Sequence, residues 1–215
     1  MEIVASLTEQ TTAATDLILG IQTIGLAAYL QRFYPRDPWR TRLWQALMLL
    51  SSAVALAGTV AHGIVMAKET YELLWQPMLI CLGLVVATFV LAAVYDLKGQ
   101  AAARKLLPWC IGMALVFYGI IRIPGATFLY FILYEITGMV LALGVYGYLG
   151  VKKRLAGAFL IVLGILLQIV AAGVQASGPI EVRLIWLFDH NGIFHLIGML
   201  ALFVMVFGAA RGFKQ

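Results

Sequence analysis

The chain has 215 residues, of which 63% are hydrophobic and only 12% charged, a composition far outside that of a soluble domain. Its net charge of +5 gives no support to nucleic-acid binding, because the basic residues fall between apolar runs, where they act first as a membrane-topology signal. A spanning helix needs roughly 20 apolar residues, so this length holds about seven and leaves no room for a separate soluble domain.

Apolar runs fall near residues 13–33, 43–66, 72–96, 106–123, 126–149, 155–175 and 184–210, separated by short stretches of charge, Pro or Gly. The fold expected is an all-α, integral membrane, seven-transmembrane-helix bundle forming one domain over residues 1–215. The first run has no Lys or Arg before Arg32, so it lacks the basic start of a cleaved signal peptide and is expected to remain as helix one. Pro77 and Pro108 are read within the first turns of helices three and four, where a missing amide proton costs little. Gly138, Gly144 and Gly147 on helix five suit close helix approach in lipid. Cys81 and Cys110 lie inside apolar runs and are read as packing residues.

Twelve of the 15 basic residues fall on one side, after helices one, three, five and seven: Arg32 to Arg42, Lys98 to Lys105, Lys152 to Arg154, and Arg211 with Lys214. Short loops rich in Lys and Arg stay in the cytoplasm. The N-terminus is therefore expected outside and the C-terminus in the cytoplasm, as in a multi-pass protein of a bacterial cytoplasmic (inner) membrane.

Ionisable groups inside spanning segments are costly and start as functional candidates. Asp16 lies in helix one, His62 late in helix two, Glu72 at the start of helix three, Glu135 in the first half of helix five and Gln168 late in helix six; helix seven carries Asp189, His190, Asn191 and His195. With odd helices running inward and even ones outward, all fall at one depth in the outer half, as if facing a shared polar cavity. Asp16 can instead cap a helix start, Glu72 and Asp96 can be solvated at helix ends, and Gln168 can bond a neighbouring helix. Asp96 is read as solvated near the cytoplasmic side. Three histidines at the depth of several carboxylates suggest a metal or acid–base site, since neutral imidazole is the commonest nitrogen ligand of zinc. Asn191 and His195, four apart, share a helical face.

The arrangement resembles the superfamily of seven-helix membrane hydrolases that contains the alkaline ceramidases and the adiponectin and progestin receptors. Its residues are His62 in "GTVAHG", matching the family's zinc-binding histidine late in helix two, and His195 in "DHNGIFHLIGM", matching the second histidine of the helix-seven HxxxH pair. Asn191, beside His190, stands at the first position of that pair; Gly58 stands where the family has Ser; Glu72 is the nearest match to its helix-three Asp. Bacterial members of this broad group are still more similar, with Thr15-Asp16, His62-Gly63, Leu74-Trp75 and the run His190 to Leu196 in corresponding places.

The resemblance implies a zinc-dependent hydrolase acting on a lipid amide or ester bond from the outer leaflet. In that reading His62, His190, Asn191 and His195 supply the zinc site, and Glu72, Glu135 and Asp189 supply acid–base groups. Membrane lipid is the expected partner, with homo-oligomerisation left open. The non-enzymatic alternative is a receptor or transporter holding a small ligand or metal ion in the same cavity; a b-type haem between His62 and a helix-seven histidine is a further one.

Overall fold

The computed structural model describes residues 2–213. Seven α-helices occupy most of them: α1 (Leu7–Leu30), α2 (Pro38–Gly63), α3 (Lys68–Lys98), α4 (Gln100–Ile121), α5 (Leu129–Val151), α6 (Ala158–Ala176) and α7 (His190–Gly212). Every one is long and apolar enough to cross a membrane, so the chain is a multi-pass membrane protein of all-α architecture. Helices suit this setting because they satisfy their backbone polar groups internally. The outward faces carry Ile18, Ile21, Leu49, Val140, Phe159 and Leu200, all exposed, an inversion of the soluble pattern that hydrocarbon solvent explains.

Several helices begin earlier than their apolar runs. Ser6 caps α1, accepting from the Glu9 backbone N–H, and Asp37 caps α2 ahead of Pro38; caps and first turns are polar, so a count of apolar residues misses them. Pro77 and Pro108 consequently lie in the interiors of α3 and α4, and not in the first turns as expected; each removes one i→i−4 backbone bond there. Of the three helix-five glycines, only Gly138 meets a neighbour, since a Cβ there would stand 2.5 Å from Val86, whereas Gly144 and Gly147 face open space.

The last run is also corrected. Helix α7 starts at His190, and residues 182–188 instead form a two-stranded antiparallel hairpin, Val182–Arg183 paired with Leu187–Phe188. Asp189 stops the helix from extending back: it is extended (φ −94, ψ −174) and its carboxylate accepts from the Gly192 N–H. An Asp in that role is an N-cap, which by definition sits outside the helix.

In neighbour order α1, α2, α3, α5, α6 and α7 form a closed ring, and α4 packs on α3 outside it. The ring is solid at the end where α1 finishes and α7 finishes. There Trp44 meets Phe89 edge to face and Phe89 stacks on Tyr146, with centroids 6.1 and 6.2 Å apart, and the three pack with Leu30 and Leu149. Beyond them Arg40 binds Asp96 through two nitrogens (2.5 and 3.0 Å), donates to the Ala209 carbonyl and lies over the Phe213 ring, while Tyr146 donates to Asp96. Asp96 is therefore not the solvated helix-end residue expected; its side chain is 2% exposed. The opposite end, where α1 and α7 begin, is hollow.

Candidate functional site

The hollow is a cavity of about 1080 Å3 whose wall includes Glu9, Asp16, His62, Glu135, Gln168 and His195. Glu72, His190 and Asn191 also reach it, so eight of the nine polar candidates from the sequence share one space. Asp189 does not line it. Deeper in, the wall becomes apolar, with Leu47, Phe89, Met139, Leu202 and Met205. The cavity is amphipathic along its length, polar near the open end and greasy towards the packed core.

The polar end is built around His195, which is 8% exposed between Asp16 and Thr15, at 5% and 3%. Its Nε2 faces Asp16 Oδ1 at 3.3 Å and its Nδ1 meets Thr15 Oγ1 at 3.0 Å. The Thr15 hydroxyl also lies 2.9 Å from the Thr12 carbonyl, which only accepts. Thr15 must donate there, so its oxygen accepts from Nδ1–H and that tautomer is fixed. Nε2 is then the ring nitrogen that faces the Asp16 carboxyl group, at ion-pair distance. This pair, and not Thr15, reaches the cavity.

Asp16 fits because of Gly58. A Cβ at that position would stand 2.5 Å from Asp16 Oδ2, so the bare backbone of α2 leaves the space that the carboxyl group fills. One turn on, His62 Nδ1 donates to Glu9 Oε2 at 2.7 Å. Asp189 accepts from the Thr12 hydroxyl at 2.9 Å and from Gly192 N–H at 2.8 Å. It thereby locks the start of α7 to α1 and holds His195 in register with Asp16.

On the far wall, Gln168 donates to Glu135 Oε1 at 3.2 Å. Gln175 donates weakly to Asn191 Oδ1 at 3.4 Å. Among the described residues, five buried polar atoms on side chains that line the cavity have no protein partner: Trp75 Nε1, Glu135 Oε2, Gln168 Oε1, Gln175 Oε1 and His190 Nδ1. Buried polar atoms are normally bonded, so their clustering on one cavity is informative. Glu72 stands apart at the rim, its side chain 62% exposed and 3.7 Å from Lys68.

The four expected zinc donors, His62, His190, Asn191 and His195, all line the cavity. Among the described residues no group of three or more His, Cys, Asp or Glu is placed to hold a metal ion. Both His195 nitrogens face protein partners, Asn191 faces Gln175, and His62 points its Nδ1 at Glu9. Glu9, Thr12, Thr15, Trp75 and Gln175 were not among the sequence candidates. The Ser6–Glu9 spacing is a capping-box pattern that marks the true start of helix one, and it would have brought Glu9 and Thr12 into the spanning segment.

Over residues 11–214 the sequence matches the family of unknown function DUF6962. The chain belongs to this family. No curated protein and no solved structure matches it. The matched region of this DUF6962 member takes in α1 from Thr11 onward, the other six helices whole, and every cavity group named above except Glu9.

Proposed function

We propose that this protein binds a lipid-like amphiphile inside the membrane, its polar head against the Asp16–His195 and Glu135–Gln168 walls and its apolar body over Leu47, Phe89, Met139 and Met205. One observation carries the reading: five unpartnered buried polar atoms belong to side chains that line a cavity turning apolar with depth. Such atoms cost roughly 1–3 kcal/mol each when left unpaired, and a ligand head with donors and acceptors relieves that cost. Pockets for small ligands share this pattern of apolar walls with few convergent polar groups.

In this reading the open end of the cavity lies outside and the Arg40–Asp96 end in the cytoplasm of a bacterial inner membrane, which the strong Lys and Arg bias supports. The amphiphile then enters from the outer leaflet. The decisive experiment extracts the protein from membranes in mild detergent and identifies co-purifying lipid by mass spectrometry. A stoichiometric amphiphile that disappears in Leu202→Trp, which fills the cavity floor, supports the reading; an empty protein that also fails to bind an added lipid panel sinks it.

A second reading is hydrolysis of the bound lipid's amide or ester bond, favoured by the close Asp16–His195 pair at the cavity wall and by the likeness to the seven-helix hydrolases. Asp16 and His195 act there as general acid and base. Zinc held by the cavity histidines is the metal form of the same reading. Lipid turnover that falls about 100-fold or more in Asp16→Asn and His195→Gln, and survives a chelator, fits acid–base catalysis by the pair. Turnover abolished by chelator and restored by zinc assigns the chemistry to metal instead, and binding without turnover leaves a receptor or transporter.

A further inference from the structure

Four carboxylates line the cavity: Glu9, Asp16, Glu72 and Glu135. Three of them have a basic partner, His62 at 2.7 Å, His195 at 3.3 Å and Lys68 at 3.7 Å respectively. Glu135 is the most buried of the four after Asp16 or level with it, at 5% exposed, and among the described residues it has no ion-pair partner. Among the described residues its side chain has one hydrogen-bond partner, the Gln168 side-chain amide, which donates to Oε1. The remaining oxygens of the two side chains, Glu135 Oε2 and Gln168 Oε1, are both buried and both unpartnered.

Two acceptor oxygens on neighbouring α5 and α6 side chains, one of them on a carboxyl group, specify what they take. A phosphate or carboxylate head offers only acceptors and is repelled. A hydroxyl brings a single proton for two acceptors. An ammonium group brings three donors and the missing positive charge, and charge-assisted hydrogen bonds are about twice as strong as neutral ones. A buried charge is tolerated when it is paired and hydrogen-bonded.

We infer that Glu135 and Gln168 form an amine-binding subsite, and that the ligand of this cavity is a lipophilic primary amine. This rests on the amphiphile-binding reading above and narrows it. Whether the proton starts on the amine or on the Glu135 carboxyl, the bound state is a carboxylate facing an ammonium, net neutral in a low-dielectric wall. The alkyl chain then runs down past Met139, one turn along α5 from Glu135 and also on the cavity wall.

The test uses the full-length protein in nanodiscs of a neutral phospholipid, with dodecylamine, dodecanol and dodecyltrimethylammonium as probes measured by equilibrium dialysis. Dodecylamine is expected to bind saturably, about tenfold or more tighter than dodecanol. The trimethyl compound, which keeps the charge without N–H donors, is expected to fall between them. Glu135→Gln and Gln168→Leu are each expected to remove the preference for amine over alcohol. Equal affinity for amine and alcohol in the unmodified protein overturns the inference and leaves amphiphile binding intact, as does an amine preference that persists in Glu135→Gln. Absence of saturable binding by all three probes overturns both. The comparison of probes on the unmodified protein decides the matter even if a variant does not fold.

Discussion

At the scale of single residues the site depends on absences of side chain as much as on charged groups. Gly58 is the clearest case, since any Cβ there collides with the Asp16 carboxyl group. Gly58→Ala is expected to displace Asp16 from His195, lower the thermal midpoint by an amount equivalent to about 1–3 kcal/mol and weaken ligand binding. Gly112→Ala, where nothing stands within 4 Å, is the control and should change neither. The sequence already showed Asp16, His62, Glu135, Gln168 and His195 as costly polar residues inside apolar runs, because the hydrocarbon penalty attaches to residue type. It could not show their pairings. That His195 sits between Thr15 and Asp16, and His62 beside Glu9, depends on helix rotation and on the fit of α1 against α2, which periodicity does not encode.

Among the elements, α1 and α7 are joined at their hollow ends by Asp189, which takes the Thr12 hydroxyl and the Gly192 amide together. Asp189→Ala removes a cap and a cross-helix bond, and is expected to cost about 1–2 kcal/mol and to loosen the start of α7, measurable as faster amide exchange at Asn191 to Ile193. At the packed end, Arg40 and Asp96 tie α2 to α3, α5 and α7. Breaking such a buried pair from one side is expected to cost about 3–5 kcal/mol, with a double Arg40→Met, Asp96→Leu variant recovering part of it. Thermal unfolding of the two single variants and the double variant checks this; equal losses that simply add would show that the pair is not coupled. Helix existence was legible throughout because long apolar runs have few other solutions in lipid. Helix starts were not, since Ser6, Asp37 and Asp189 are polar capping residues at the edges of those runs, and the short hairpin before α7 reads as apolar sequence until Asp189 is recognised as a cap.

For the whole molecule, a six-helix ring closed at one end by aromatic packing and a buried ion pair leaves an amphipathic chamber at the other. Helix α4 lies outside the ring with Trp109, Met113 and Leu115 facing outward, where lipid tails meet them. The topology argument expects residues 152–154 to be shielded from an impermeant lysine reagent applied to intact cells, and Lys68 to be labelled; the reverse pattern would invert the orientation and move the chamber to the inner leaflet. The most direct test of the chamber itself is photo-crosslinking with an amphiphile carrying a diazirine at the end of its alkyl chain, followed by peptide mapping. Ligand bound with its head at Asp16, His195 and Glu135 predicts adducts on Leu47, Met139, Leu202 and Met205 that excess unlabelled amphiphile suppresses. Adducts confined to outward-facing residues such as Trp109, Met113 and Leu115, and unaffected by competitor, would contradict it.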